Sequence, residues 1–168
     1  MKRLLLVPAL AAALLAAATP ALAHEFTLGA LVIDHPWARP NLPNRPAAAY
    51  VEITNGGETA DRLLAASSPA FETVELHTME MADGVMKMMR VEAVELPAGA
   101  TVALAPGRHH MMLFGAAGNF RPGDSFPMTL SFEAAGEIEV EVKVEMKPSS
   151  EMHGGGHRSD DGGHGTKH

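Results

Sequence analysis

The 168-residue chain contains no cysteine, and this excludes disulfides, zinc ribbons, iron–sulfur clusters, thiol redox chemistry and blue-copper sites, all of which need cysteine sulfur. Positive charge is scarce as well. Thirteen Lys and Arg stand against 20 Asp and Glu, a formal net charge of −7. Nucleic acid is therefore not an expected partner, because its phosphates call for clustered Lys and Arg. The apolar run near the start falls short of the roughly 20 residues that a membrane-spanning helix needs. No amphipathic helical pattern lies between the other apolar stretches, and no internal repeat is evident. No activated nucleophile and no acid and base pair can be assembled from the motifs, so catalysis is not expected.

What is present begins with MKRLLLVPALAAALLAAATPALA: a basic start at Lys2 and Arg3, an apolar stretch bracketed by Pro8 and Pro20, then Ala21-Leu22-Ala23. This is the layout of a cleaved secretory signal peptide over residues 1–23. Cleavage would leave His24 as the mature N-terminus, no membrane anchor, and a formal charge of −9 on 145 residues. The other end, from Ser149, is rich in Gly and His with hardly an apolar side chain, a composition that cannot offset the entropy of folding. Residues 148–168 are read as a disordered tail, and 24–147 as one domain of a size that must hold together by its core.

Within that domain the strongest period is two. Glu137 to Lys147 alternates Ile138, Val140, Val142, Val144 and Met146 with Glu139, Glu141, Lys143 and Glu145, which predicts a strand with one face in a core. Strands are also predicted over 26–33, 47–54, 62–68, 71–79, 85–91, 101–105, 110–115 and 126–134. Turn signals separate them, including Asn55-Gly56-Gly57, Asp83-Gly84, Pro106-Gly107 and Pro122-Gly123-Asp124. Many short strands at regular spacing without helices imply an all-β, Greek-key β-sandwich.

Methionine is distributed unevenly. Five of the 11 methionines, Met79, Met81, Met86, Met88 and Met89, fall in the 13 positions that open at His77, and His109-His110-Met111-Met112 follows some twenty residues on. Methionine in a strand is usually a core filler; Met128, Met146 and Met111 are assigned to that role, and His35 and His109 to ordinary surface or hydrogen-bonded positions. The filler role does not explain why histidine accompanies both clusters. Residues two apart share a face of a strand, which pairs His110 with Met112, Met86 with Met88 and His77 with Met79. Neutral imidazoles and thioethers without thiolate or carboxylate suit Cu(I), whereas zinc recruits more His, Cys or carboxylate. Imidazole binds a metal only when neutral, so uptake at such a site weakens as pH falls through about 6.5, the ordinary histidine value.

The spacing of His77, ten residues, Met88, twenty-one residues, His110, one residue, Met112 resembles the signature of the periplasmic copper chaperones called PCuAC. The stretches HPWARP, AAAYVEITNGG, DRLLAASSP, DGVMKM, PGRHHMML and GDSFPMTLSFE are similar as well, so the resemblance covers nearly the whole domain. One departure is Arg108-His109, where relatives often carry a glycine, and this makes His109 an alternative ligand. The resemblance implies a cupredoxin-like, immunoglobulin-like sandwich, monomeric, holding one Cu(I) through His77, Met88, His110 and Met112. It also implies delivery to a copper-accepting oxidase subunit of the CuA type, alongside a Sco-type protein, in the periplasm. Relatives with His- and Met-rich C-terminal extensions make Met152, His153, His157, His164 and His168 candidates for a second site. Flexible imidazoles favour Cu(II) there, and His24 with its free amine is a further Cu(II) candidate. Two alternatives are a CopC-like resistance carrier anchored on His24 and a metal-free immunoglobulin-like assembly module.

Overall fold

A computed structural model of the protein describes residues 25–82 and 84–146, which form eleven β-strands and no helix. They are β1 (Glu25–Leu28), β2 (Leu31–Ala38), β3 (Ala47–Asn55), β4 (Asp61–Ser67), β5 (Phe71–Ala82), β6 (Val85–Arg90), β7 (Val94–Leu96), β8 (Thr101–Leu104), β9 (His110–Ala116), β10 (Ser125–Phe132) and β11 (Gly136–Val144). The hydrogen-bonded ladder runs β6-β5-β9-β3-β2-β11-β10-β4-β7, with β1 added to β2 and β8 to β3. Neighbours are antiparallel except where β11 lies parallel to β2, so the sheet is mixed. The all-β class expected from the period-two pattern is the class observed. Among the described residues no helix is long and apolar enough to cross a membrane.

One core serves both arms of the ladder. Leu76 of β5 and Met111 and Leu113 of β9 pack in the same cluster as Leu63 of β4, Met128 and Leu130 of β10, and Val140 and Val142 of β11. The ladder therefore folds over and sandwiches that cluster between its inner faces. Burial follows the alternation of the sequence. In β11, Val140, Val142 and Val144 are buried while Glu139 and Glu141 are exposed, as expected for a strand with one wet face. Met128 and Met111 are core residues, as their neighbours Leu130 and Leu113 lead one to expect.

Three features differ from the sequence reading, each for a local reason. The segment 26–33 is not one strand: Gly29, with φ of 59°, turns the chain so that Leu28 pairs with Leu31 and β1 folds back on β2. β2 then continues to Ala38 through a register shift between Asp34 and Trp37, where His35 has φ of 44°. Pro36, which has no N–H for a ladder, concealed that continuation. At the other end Met146 is not a core residue. β11 stops at Val144, where its pairing with Ala38 of β2 ends, and Met146 is 74% exposed. The alternation outlasts the partner strands, and an unpartnered strand end has no second layer to bury a side chain against.

A buried carboxylate fixes one corner of the sandwich. Asp61 opens β4 and accepts backbone N–H bonds from Arg62 (2.7 Å), Ala134 (2.8 Å) and Ala135 (3.0 Å), tying β4 to the turn between β10 and β11. Burial alone would raise its pKa, but the N–H donors outweigh that effect and hold the carboxyl below its ordinary value.

Candidate metal centre

The methionine-rich hairpin lies at one end of the ladder. β5 pairs with β6 through His77↔Arg90, Met79↔Met88 and Met81↔Met86, and with β9 through Glu75↔Met112 and His77↔His110. Directly opposed residues in a pleated sheet point the same way. One face thus carries Glu75, His77, His110, Met112, Met79 and Met88 together. The opposite face of β5 and β9 presents Leu76, Thr78, Met111 and Leu113, all buried. The core beneath holds the strands in register, and the register brings residues 33 positions apart in the chain side by side. Ala82 pairs with Val85 across a two-residue connection in which Gly84 has φ of 77°, consistent with the predicted hairpin; Asp83 lies outside the described residues.

The hydrogen bonds around the two imidazoles determine where their lone pairs point. His110 Nδ1 lies 2.8 Å from the carbonyl oxygen of Arg108. A carbonyl only accepts, so Nδ1 carries the proton and Nε2 the lone pair. His77 Nε2 donates to Glu75 Oε2 at 2.9 Å, which leaves the lone pair on Nδ1. That Nδ1 is buried and has no hydrogen-bond partner among the described residues. The ring centroids are 6.0 Å apart. Each histidine therefore has one nitrogen held by an acceptor and the other available, which is how metal-binding imidazoles are commonly oriented.

Met88 completes the geometry. Its Sδ lies 3.2 Å from His110 Nε2. A thioether sulfur has no proton, and with Nδ1 occupied by Arg108 the neutral ring has none at Nε2. Two electron-pair donors therefore face each other at contact distance. That arrangement suits a cation between them: donors about 2.0 Å (N) and 2.3 Å (S) from one tetrahedral ion would stand about 3.5 Å apart. His110 is 6% exposed and the His77 side chain 12%, while Met88 is 49% exposed, so the nitrogens lie at the floor and the sulfur at the rim. Met112 is half-buried on the same face, two residues from His110. Among the described residues no three His, Asp or Glu side chains form a metal-binding group; with the Glu75 oxygens taken by His77 and Arg90, the donors left are two imidazoles and thioethers, a set that suits a soft ion.

Other predicted residues lie elsewhere. His35 is on β2, separated from β9 by β3 in the ladder, and lies 3.3 Å from Glu145. His109 precedes β9 and sits beside Thr78, Thr101, Val102 and Ala103, with its Nδ1 buried and unpaired among the described residues. His24, Met152, His153, His157, His164 and His168 fall outside the described residues, as do the proposed signal peptide and tail. Glu75 was missed by the sequence reading. It precedes His77 by two positions, so strand alternation alone would have placed it on the metal face. Arg90 holds its other oxygen at 3.3 Å.

A family model described as LpqE-like, a lipoprotein family by its description, matches residues 31–144. The Leifsonia xyli subsp. xyli protein Lxx21020, which carries a lipoprotein name, is 31% identical over 98 residues, 58% of this chain and 59% of its own length. RP573 of Rickettsia prowazekii is 31% identical over 114 residues, covering 65% and 63%. The chain thus spans about three fifths of the curated relatives that it matches. Among solved structures, the copper-bound PCuAC domain from PmoF2 superimposes with a TM-score of 0.64 at 32% identity, covering 74% of this chain and 99% of that domain.

Proposed function

The chain belongs to the LpqE-like family and shares the fold of PCuAC domains, and from that premise we propose that it is an exported copper carrier, with His77, Met88, His110 and Met112 holding one Cu(I). The observation that carries this reading is the approach of His110 Nε2 to Met88 Sδ at 3.2 Å with both atoms offering lone pairs. The unpaired, buried Nδ1 of His77 supports it. Two neutral imidazoles and neutral thioethers bind a soft monovalent ion without the thiolate that would make release slow.

The chain's own residues account for both holding and release. Glu75 and the Arg108 carbonyl orient the two rings, the β5–β9 register fixes their separation, and the rim sulfurs cover the ion on the solvent side. Copper is the cargo. It leaves when a docked acceptor replaces Met88 and Met112 one lone pair at a time. A copper centre of a respiratory oxidase, of the CuA type, is the acceptor that the resemblance suggests, with a Sco-type protein as a co-worker; the periplasm is the corresponding compartment. Met152, His153, His157, His164 and His168 would add a separate Cu(II) site in the tail, and mature His24, with its amine and imidazole, would be a further Cu(II) ligand.

The test is anaerobic Cu(I) titration against a chromophoric chelator, using the mature chain with and without residues 148–168. One tight equivalent should survive truncation and disappear in the His77→Ala/His110→Ala variant. Tight binding that persists in that variant, or that vanishes with the tail, would refute the assignment.

A further inference from the structure

Only Met88, of the five hairpin methionines, is used by the centre proposed above. The remaining sulfurs are sorted by face. On the metal side of the β5–β6 hairpin, beyond the His77↔Arg90 pair, the four positions are all methionine: Met79 opposes Met88, and Met81 opposes Met86. The reverse side pairs Thr78 with Met89, Glu80 with Lys87 and Ala82 with Val85. General hydrophobicity of the hairpin would not produce that segregation. Nor does packing require it, because Met81 is 66% and Met86 45% exposed.

The spacing forms a continuous row. Opposed residues of an antiparallel pair have Cα atoms about 4.5–5.5 Å apart, and the next pair on the same face is about 6.5–7 Å further along. Methionine, with three rotatable bonds, closes both distances. The row leads from the hairpin tip to Met88, whose sulfur already touches His110.

We propose that Met81 and Met86, with Met79, form an outer soft-metal site that takes up Cu(I) at the hairpin tip and passes it inward through the Met79–Met88 pair to the histidines. The proposal rests on the reading of the inner centre as a Cu(I) site. Thioethers carry neither proton nor charge, so each step exchanges one sulfur lone pair for another, the metal stays monovalent, and no electron or proton moves. Three neutral sulfurs hold the ion less tightly than a set that includes imidazole nitrogen, which gives the row its inward direction.

The test uses the full chain, carbon-13 labelled at the methionine methyls, titrated anaerobically with Ag(I) as a redox-silent monovalent probe. The Met88 and Met112 methyl signals should shift with the first equivalent and those of Met81 and Met86 with the second. The Met81→Leu/Met86→Leu variant, which keeps size and apolarity, should fill the inner centre several-fold more slowly from a weak Cu(I) complex. Met81 and Met86 signals that stay fixed while Met88 and Met112 move would overturn the outer site and leave the inner one standing, as would wild-type filling rates in the leucine variant. Movement of Met81 and Met86 without Met88 and Met112 would sink the inner centre and, with no site to receive the metal, overturn the inward transfer as well.

Discussion

Removing the Glu75 carboxylate tests whether the orientation of His77 matters for metal binding. Glu75 Oε2 accepts from His77 Nε2 at 2.9 Å and Oε1 lies 3.3 Å from Arg90, with the Glu75 side chain 24% exposed. In Glu75→Ala the ring loses the acceptor that fixes its tautomer, and Nδ1 is no longer kept free of a proton. Loss of such a supporting hydrogen bond lowers metal affinity about 10- to 100-fold, or about 1.4 to 2.7 kcal/mol. The lower part of that range is expected, because Glu75 is partly hydrated and shared with Arg90. Glu75→Gln keeps an acceptor but not the charge, so it should fall between alanine and wild type. Arg90 is 71% exposed, and a pair of that kind contributes little, so Arg90→Ala should leave affinity nearly unchanged. The assay is anaerobic chelator competition for Cu(I), with thermal unfolding of the metal-free variants as a control. Wild-type affinity in Glu75→Ala, with the fold intact, would refute the tautomer argument.

Two further predictions concern the scaffold. Asp61→Asn removes a carboxylate whose pKa is depressed in the folded state, and it should cost about 1–3 kcal/mol in urea unfolding at neutral pH. A depressed pKa stabilises above the unfolded value of about 3.9 and is lost as pH falls through the folded value, so the gap between wild type and variant should close in acid; a gap that widens would contradict the assignment. Met128→Ala should destabilise the protein by about 2–5 kcal/mol through the cavity it leaves, whereas Met146→Ala should stay within about 0.5 kcal/mol, both read by urea unfolding.

The parts of the fold legible in the sequence were those encoded by neighbours. Val140, Val142 and Val144 declare their face by alternation, and the hairpin at Gly84 declares itself by its turn residue. Met146 shows the limit of that reading, since the pattern runs on after the partner strand has ended. β7, at three residues, is too short to display any period. In VMKMMR both faces carry apolar side chains, so alternation sorted Met86 with Met88 but could not say which face met the histidines. That depended on the pairing of β5 with β9, a contact between distant segments that no local pattern contains. The contacts that set the direction of each ring are local by contrast: Glu75 precedes His77, and Arg108 precedes His110, by two residues.

The exposure of the hairpin sulfurs has a chemical consequence. A thioether open to solvent is converted by peroxide to the sulfoxide, a polar group with a hard oxygen in place of an available sulfur lone pair. Met81, Met86 and Met88 lie open to that reaction, while Met111 and Met128 are sealed in the interior. An oxidised molecule would therefore stay folded and lose its hold on soft ions, so its capacity would record the oxidant exposure of its compartment until a reductase restored the sulfurs.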